Sequence, residues 1–204
     1  RLRGNKLAAY QNLTRDERRI LVIGDLHEPF CLDGYLDFCI DTYQRHNCNQ
    51  VVLIGDVIDS HYSSFHEQDP DGYGGGDELE LAIDRLQRWV EVFPVADVTI
   101  GNHDRIISRK AFSGGIPKAW IKTFNEVLKA PTWNFVDRVV YDGVQYIHGE
   151  GGTAQNFKVF GSQIGCGIDF DRYAFAYAKR GKKPAIGCAV VIGGHTCINE
   201  LMEL

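Results

Sequence analysis

Four apolar residues, Val51-Val52-Leu53-Ile54, run into Gly55 and then into Asp56-Val57-Ile58-Asp59. The run has the length and the branched side chains of a buried strand. Gly55 breaks it and presents Asp56 just past its end. In open α/β sheets that position, outside the carboxyl end of a strand, is where ligands and chemistry gather. The same grammar recurs twice. Ile20–Ile23 leads into Gly24-Asp25-Leu26-His27, and Val95–Ile100 leads into Gly101-Asn102-His103-Asp104. A glycine at each break permits the sharp turn that lifts the next side chain out of the sheet.

Helical patterns separate these strands. Asp33–His46 places Leu36, Cys39, Ile40 and Tyr43 on one face, with Asp33 as the expected N-cap. Leu79, Ile83, Leu86, Val90 and Phe93 step by four and three behind a start signal at Asp77 and Glu80, which predicts a strongly amphipathic helix. Ser60–Gly76, between Asp59 and that helix, is a long polar loop of the kind that is more often functional or mobile than inert. Pro117 opens a further predicted helix with Trp120, Ile121, Phe124, Val127 and Leu128 as its buried face. From Trp133 the pattern turns to β. A hairpin is expected over Val139–Tyr141 and Val144–Ile147 around Asp142-Gly143, then strands over Lys158–Ile164 and Ala185–Ile192, with a last strand after Gly193-Gly194.

These elements predict a polar arm over residues 1–19 and one α/β domain over residues 20–204, a length that fits a single full core. The net charge of -5 argues mildly against a general nucleic-acid binder, although a local basic groove is compatible with it. No run of about 18 apolar residues is present, so no membrane span is expected. The basic start, Arg1-Leu2-Arg3, has neither an initiator Met nor an apolar signal-peptide core, as expected of a trimmed N-terminus. The six cysteines form no CxxC pair and read as free thiols of a reducing cytosol, which makes the expected location cytoplasmic.

Four predicted strand ends carry ligand-type side chains: Asp25 and His27; Asp56; Asn102, His103 and Asp104; and His148 after the hairpin. Any one of them alone would read as a turn former, a cap or a structural histidine. Their joint occurrence argues for a metal site. Imidazole, carboxylate and amide together suit borderline cations such as Mn, Fe, Co or Zn. Two such ions about 3.5–4 Å apart form a clamp for in-line displacement at phosphorus. A carboxylate is a natural bridge between them, because its two oxygens offer several lone pairs.

Asp25-x-His27, Gly55-Asp56-x-x-Asp59, Gly101-Asn102-His103-Asp104 and His148-Gly149, in this order and spacing, resemble the calcineurin-like metallophosphoesterase family, in particular its phage and bacterial members. The resemblance spans about Ile20 to Glu150. It implies a four-layer αββα sandwich of mixed sheets with helices outside and a dinuclear centre at the strand ends. It also implies two divalent cations, Mn2+ favoured and Zn2+, Fe or Co2+ compatible. Asp25 and His27 would hold the first, Asp56 would bridge, and Asn102 and His148 would hold the second. His103 would act on the phosphate or its leaving oxygen without binding metal, and Asp104 would orient His103. A metal-bridging water would be the nucleophile. Asp59 reads separately as a cap of its own loop.

One part of the family pattern is missing. Its closing Gly-His-x-His does not occur between Glu150 and Lys158. Gly194-His195-Thr196-Cys197 is the only substitute, and there His195 reads as a hairpin-turn residue rather than a ligand. The abrupt join at Thr153–Phe157 points to a segment missing from the sequence, with loss of the pair and a crippled or single-metal site as the other explanation.

The expected activity is metal-dependent hydrolysis of a phosphoester, monoester or diester. A metal-dependent nuclease is the alternative, not indicated by the charge, and a non-catalytic scaffold of the same fold is the second. His61 on the long loop and Arg105 beside the Asn102–Asp104 block are candidate substrate contacts, each with a bland counterpart: a solvated loop and a surface ion pair. Phe30 either lines the cleft or packs under it. Tyr173, Phe175 and Tyr177 alternate like a strand face, and core packing explains them better than base stacking. The sequence is silent on oligomeric state.

Overall fold

The computed structural model describes residues 17–65, 68–149, 164–173, 175 and 185–203. Eight strands are found among them: β1 (Arg19–Ile23), β2 (Gln50–Leu53), β3 (Asp97–Thr99), β4 (Asn134–Val136), β5 (Val139–Tyr141), β6 (Val144–Tyr146), β7 (Gly187–Ile192) and β8 (Thr196–Leu201). Four helices accompany them: α1 (Tyr35–Arg45), α2 (Gly75–Val92), α3 (Ile106–Ser113) and α4 (Phe124–Leu128).

Six strands form one mixed sheet in the order β4-β3-β2-β1-β7-β8. The first four run parallel, whereas β7 pairs antiparallel with β1 and β8 antiparallel with β7. The pleat sorts the side chains of the central strands between two cores. Leu21, Ile23, Val51, Leu53, Cys188 and Val190 face the helical side, where Tyr35 and Cys39 of α1 and Leu86 and Trp89 of α2 meet them. Ile20, Val22, Val52, Ala189 and Val191 face the other way, onto Tyr146 and the rest of the β5–β6 hairpin. A strand with no solvent face must be apolar at every position, which is why β1 and β2 read as unbroken runs rather than alternations. The described residues thus give helices, a six-stranded sheet and a two-stranded second sheet as stacked layers, a mixed α/β fold of the expected class.

Several boundaries differ from the sequence reading for local reasons. α1 is capped by Gly34 in a left-handed conformation, and Asp33, the expected N-cap, instead pairs with Arg85 at 3.3 Å. The predicted helix after Pro117 splits. Lys118–Trp120 is a single 3-10 turn, and α4 starts afresh behind Thr123, which forms a capping box with Glu126. Leu128 is buried as expected, but Trp120 is 82% exposed. α3 and the short parallel strand β4 carry no periodic pattern long enough to announce them. Tyr173 and Phe175 lie in a turn closed by Arg172 N–H to the Asp169 carbonyl and Phe175 N–H to the Arg172 carbonyl, not in a strand. Tyr177, residues 1–16, the Thr153–Phe157 join and residues 158–163 of the predicted strand lie outside the described residues. Five of the six cysteines are buried free thiols, and the sixth, Cys197, is exposed.

Leu21 is fully buried in the helix-side core, so Leu21→Ala should cost about 2–5 kcal/mol of unfolding free energy. Val95→Ala, at a position 74% exposed, should stay within about 0.5 kcal/mol. Urea titration of the two variants checks the pair; equal midpoints would show that the sheet does not carry the stability.

Candidate active site

The parallel strands β1, β2 and β3 deliver their carboxyl ends to one edge of the sheet, and the loops leaving them interlock. The Asp56 carbonyl accepts the amides of Leu26 and His27 at 3.1 and 2.8 Å, and Glu28 N–H reaches the Val57 carbonyl at 3.1 Å. Both turns are tight enough to drive non-glycine residues into the left-handed region, His27 at φ 50° and Asp56 at φ 47°. Such conformations cost on the order of 1 kcal/mol each and persist only when neighbours over-determine them.

The over-determining group is Asp104. Its carboxylate is buried and accepts four backbone amides: Asp56 and Gly101 at 2.8 Å, Val57 at 3.1 Å and, more weakly, Ile58 at 3.5 Å. Asp56 returns the contact, since its Oδ1 accepts the His103 amide at 2.8 Å. Gly101 sits in this clamp with no room for a side chain, because a Cβ there would overlap Asp56 Oδ1 and the Asp56 amide. Asp104, expected from the sequence to orient the His103 ring, therefore has a different job. The ring's Nδ1 bonds the Asp59 carbonyl at 2.6 Å instead.

The histidines share one pattern. His27 Nδ1 meets Asp59 Oδ1 at 2.5 Å, His103 Nδ1 meets the Asp59 carbonyl, and His148 Nδ1 meets the Ile54 carbonyl at 2.6 Å. A carbonyl can only accept, so Nδ1 of His103 and of His148 carries a hydrogen and Nε2 is the ring nitrogen turned to the site. His27 Nε2 and His148 Nε2 converge on Asp56 Oδ2, at 3.6 and 3.3 Å. Asp25 stands between the two rings, with Oδ2 4.0 Å from His27 Nε2 and Oδ1 3.7 Å from His148 Nδ1. Asn102 Oδ1 lies 2.9 Å from His148 Nε2. Ligand atoms of His27, Asp56 and His103 fall within 4.8 Å of one another, and so do those of Asp25, Asp56 and His148. Asp56 belongs to both groups.

This crowding of charge moves the titrations. Burial alone would lower His27, but the bond to Asp59 and the charges of Asp56, Asp59 and Asp25 outweigh it and raise it to about 9. His148 rises to about 9 in the same way, against its burial, through Asp56 and Asp25. Asp56 falls to about 2, because the imidazoles of His148 and His27 overcome its burial. Burial and the neighbouring Asp56 push Asp104 up to about 7, opposed by its amide donors. Imidazoles pulled towards their cationic form by surrounding carboxylates mark a place suited to positive charge.

The remaining candidates divide. His61 is buried, its amide donates to Glu78 Oε1 at 2.7 Å, and its ring packs edge-on to Tyr173 at 5.3 Å. Its Nδ1 lies 3.9 Å from Asp59 Oδ2, which makes it a wall of the site rather than a group on a solvated loop. Arg105 holds Asp137 at 3.0 Å, the ion-pair reading. Phe30 packs under the cleft, edge-on to Tyr173 and Phe175, and Phe175 meets the His27 ring edge-on at 5.4 Å. His195 lies in the β7–β8 turn beside Glu17. Register places that turn at the wrong end of the sheet: Ile192 pairs with Arg19, at the start of β1, while Asp25 and His27 follow its end. His195 thus cannot close the set of ligands.

Two contributors were not legible as such. Asp59, read as a cap, anchors His27. Glu78 holds the His61 and Tyr62 amides at 2.7 and 3.2 Å and is pushed up to about 7, mainly by burial. Its place on the buried stripe of α2, four residues before Ala82, was the available signal.

The donor set passes a chemical test for divalent metal: mixed nitrogen and oxygen ligands, Nε2 atoms free of other protein donors, and outer oxygens fixing each ring. The profile of the calcineurin-like phosphoesterase family matches residues 18–199. No curated protein and no solved structure matches the chain. Matched over most of its length, from β1 into β8, the chain belongs to the calcineurin-like phosphoesterase family.

Proposed function

We propose that the chain hydrolyses phosphoester bonds at a centre of two divalent cations that share Asp56. The observation that carries this reading is the position of Asp56 Oδ2, 3.6 Å from His27 Nε2 and 3.3 Å from His148 Nε2. One oxygen facing two ring nitrogens whose far sides are tethered is what a shared ligand requires. Asp25 and His27 would hold one ion and Asn102 and His148 the other. The mixed ligands suit Mn2+, Zn2+, Fe and Co2+, and the family resemblance favours Mn2+ among them. When bound, such ions polarise phosphoryl oxygens and lower the pKa of water towards about 7.

The protein's own groups supply positioning and proton transfer. The Asp59 carbonyl holds Nδ1–H of His103, so the remaining nitrogen of that ring is the one available to stabilise charge on the phosphoryl group or to protonate the leaving oxygen. Asp59 does double duty, because its carboxylate orients His27 while its carbonyl orients His103. Asp104 keeps the turns bearing Asp56 and His103 at fixed separation. A scaffold without metals would gain nothing from tethering rings around clustered carboxylates, which argues against the non-catalytic alternative.

A Mn-supplemented panel tests the reading: p-nitrophenyl phosphate, bis-p-nitrophenyl phosphate, cyclic nucleotides and DNA. Hydrolysis of at least one that stops on chelation is expected; inertness toward all of them would sink it. Asp56→Asn should lower metal content, measured by elemental analysis, and abolish turnover. His103→Ala should keep the metal and lose rate by roughly 100-fold or more; loss of metal in that variant would make His103 a ligand instead. Asp59→Asn should weaken metal binding about 10–100-fold through the loosened His27 ring.

Metal uptake should depend on pH with a defined sign. His27 and His148, raised from 6.5 to about 9, hold protons at neutral pH when no metal is present. Binding must expel those protons, so affinity should climb as pH rises to about 9 and then level. Conversely, the stability these rings give the metal-free protein is complete below about 6.5 and lost as pH rises through about 9. Calorimetry in buffers of different ionisation enthalpy counts the protons released; none released at pH 7 would contradict the assignment.

A further inference from the structure

The stretch from Arg105 to Lys122 holds five basic residues and no acidic one, in a chain whose net charge is -5. Arg105 is committed to Asp137, whereas Arg109, Lys110, Lys118 and Lys122 are exposed. Interleaved with them are the most exposed large apolar side chains close to the site: Phe112 at 85%, Trp120 at 82%, Phe65 at 61% and Ile116 at 50%. The segments that carry them adjoin. The Arg109 guanidinium lies over the Phe65 ring at 5.0 Å and the Lys110 ammonium at 5.4 Å, and α3 packs against the Lys118–Trp120 turn.

This face grows directly out of the site. The Arg105 and Ile106 amides bond the carbonyls of Gly101 and His103 at 3.3 and 3.1 Å, so α3 begins on the loop that carries Asn102 and His103. Eight residues of helix then extend it about 12 Å further. Contiguous exposed aromatics on a monomer mark an interaction surface. A surface that alternates aromatic rings with cations fits an extended polyanion with flat faces of its own. A membrane surface would instead call for segregated apolar and charged faces, and here the Arg109 and Lys110 cations lie on the Phe65 ring.

We propose that Phe65, α3 and the Lys118–Trp120 turn bind single-stranded nucleic acid, with bases stacked on Phe112 and Trp120 and phosphates held by Arg109, Lys110, Lys118 and Lys122. The bound strand presents a phosphodiester to the adjacent site, a role that rests on the phosphoesterase reading above. The local charge answers the objection from the acidic chain as a whole.

Fluorescence anisotropy with a labelled oligo-dT of about 12 nucleotides, in EDTA, tests binding apart from hydrolysis. Binding at about 50 mM salt that weakens steeply with added salt is expected. Trp120→Ala and Phe112→Ala should each weaken it about tenfold, Lys118→Glu with Lys122→Glu should flatten the salt slope, and a duplex of equal length should bind more weakly. All these variants should hydrolyse bis-p-nitrophenyl phosphate as the wild type does, since none of the four residues belongs to the metal-ligand cluster. No binding, equal binding by the alanine variants, a duplex bound as tightly, or capture by phosphatidylserine vesicles in place of oligo-dT would each overturn the proposal. Failure of the wild type on every phosphoester, with oligo-dT binding intact, would count against the phosphoesterase reading alone.

Discussion

Everything at the site hangs on the exchange between Asp104 and Asp56. Asp104 takes four backbone amides from two loops, and Asp56 takes the amide that precedes Asp104. A buried carboxylate is expensive unless its lone pairs are filled, and here the fillers are the amides that the tight turns leave without a helix or a sheet. One interaction therefore solves two problems. It satisfies the orphan donors of the turns after β2 and β3, and it locks a left-handed backbone at Asp56 that would otherwise relax. The sheet sets the direction of the ligands, but this clamp sets their distance.

The sheet could not do this alone. β1, β2 and β3 are short, and their loops leave the ladder within a few residues of the ligands. Hydrogen bonds from loop to loop replace the ladder there, as Leu26 and His27 do on the Asp56 carbonyl. The aromatic packing beneath continues the same logic. Phe175 and Phe30 fill the space under His27 and leave that ring one orientation, with Nδ1 on Asp59. Rings held among crowded carboxylates favour positive charge, which is why His27 and His148 are raised against their burial.

What the sequence disclosed follows from range. The strands β1 and β2 and the long helix α2 were legible because burial on a regular period leaves a regular pattern. The candidate ligands Asp25, His27 and Asp56 stood out because each follows such a strand. The anchors were not. The Ile54 and Asp59 carbonyls that tether His148 and His103 have no residue-type signature, since every peptide owns a carbonyl. Asp104 has a side chain to read, but its partners are amides up to 48 positions away, and nothing in Gly-Asn-His-Asp tells a ring orienter from a loop clamp. Trp120 failed for a related reason. Helical spacing from Pro117 made it a core residue, whereas the break at Thr123, with its own capping box, turned that segment outward.

That outward turn is also the most consequential departure from pattern. An exposed tryptophan on the surface of an acidic protein is an energetic oddity, and so is an exposed phenylalanine two residues beyond a lysine. Core demand cannot explain them, because the helix-side core is closed by Leu86, Trp89 and Leu128 without their help. Ion pairing does not account for the basic run, because Arg105 holds Asp137 whereas Arg109 and Lys110 lie over Phe65. Both oddities fall within one stretch that starts at the residue after Asp104. The same loop that the clamp holds rigid for His103 thus also fixes where α3 leaves the site, so the position of the aromatic, basic face relative to the ligands is set by the clamp as well. A phosphoester centre and a surface suited to a long polyanion are then two consequences of one buried carboxylate.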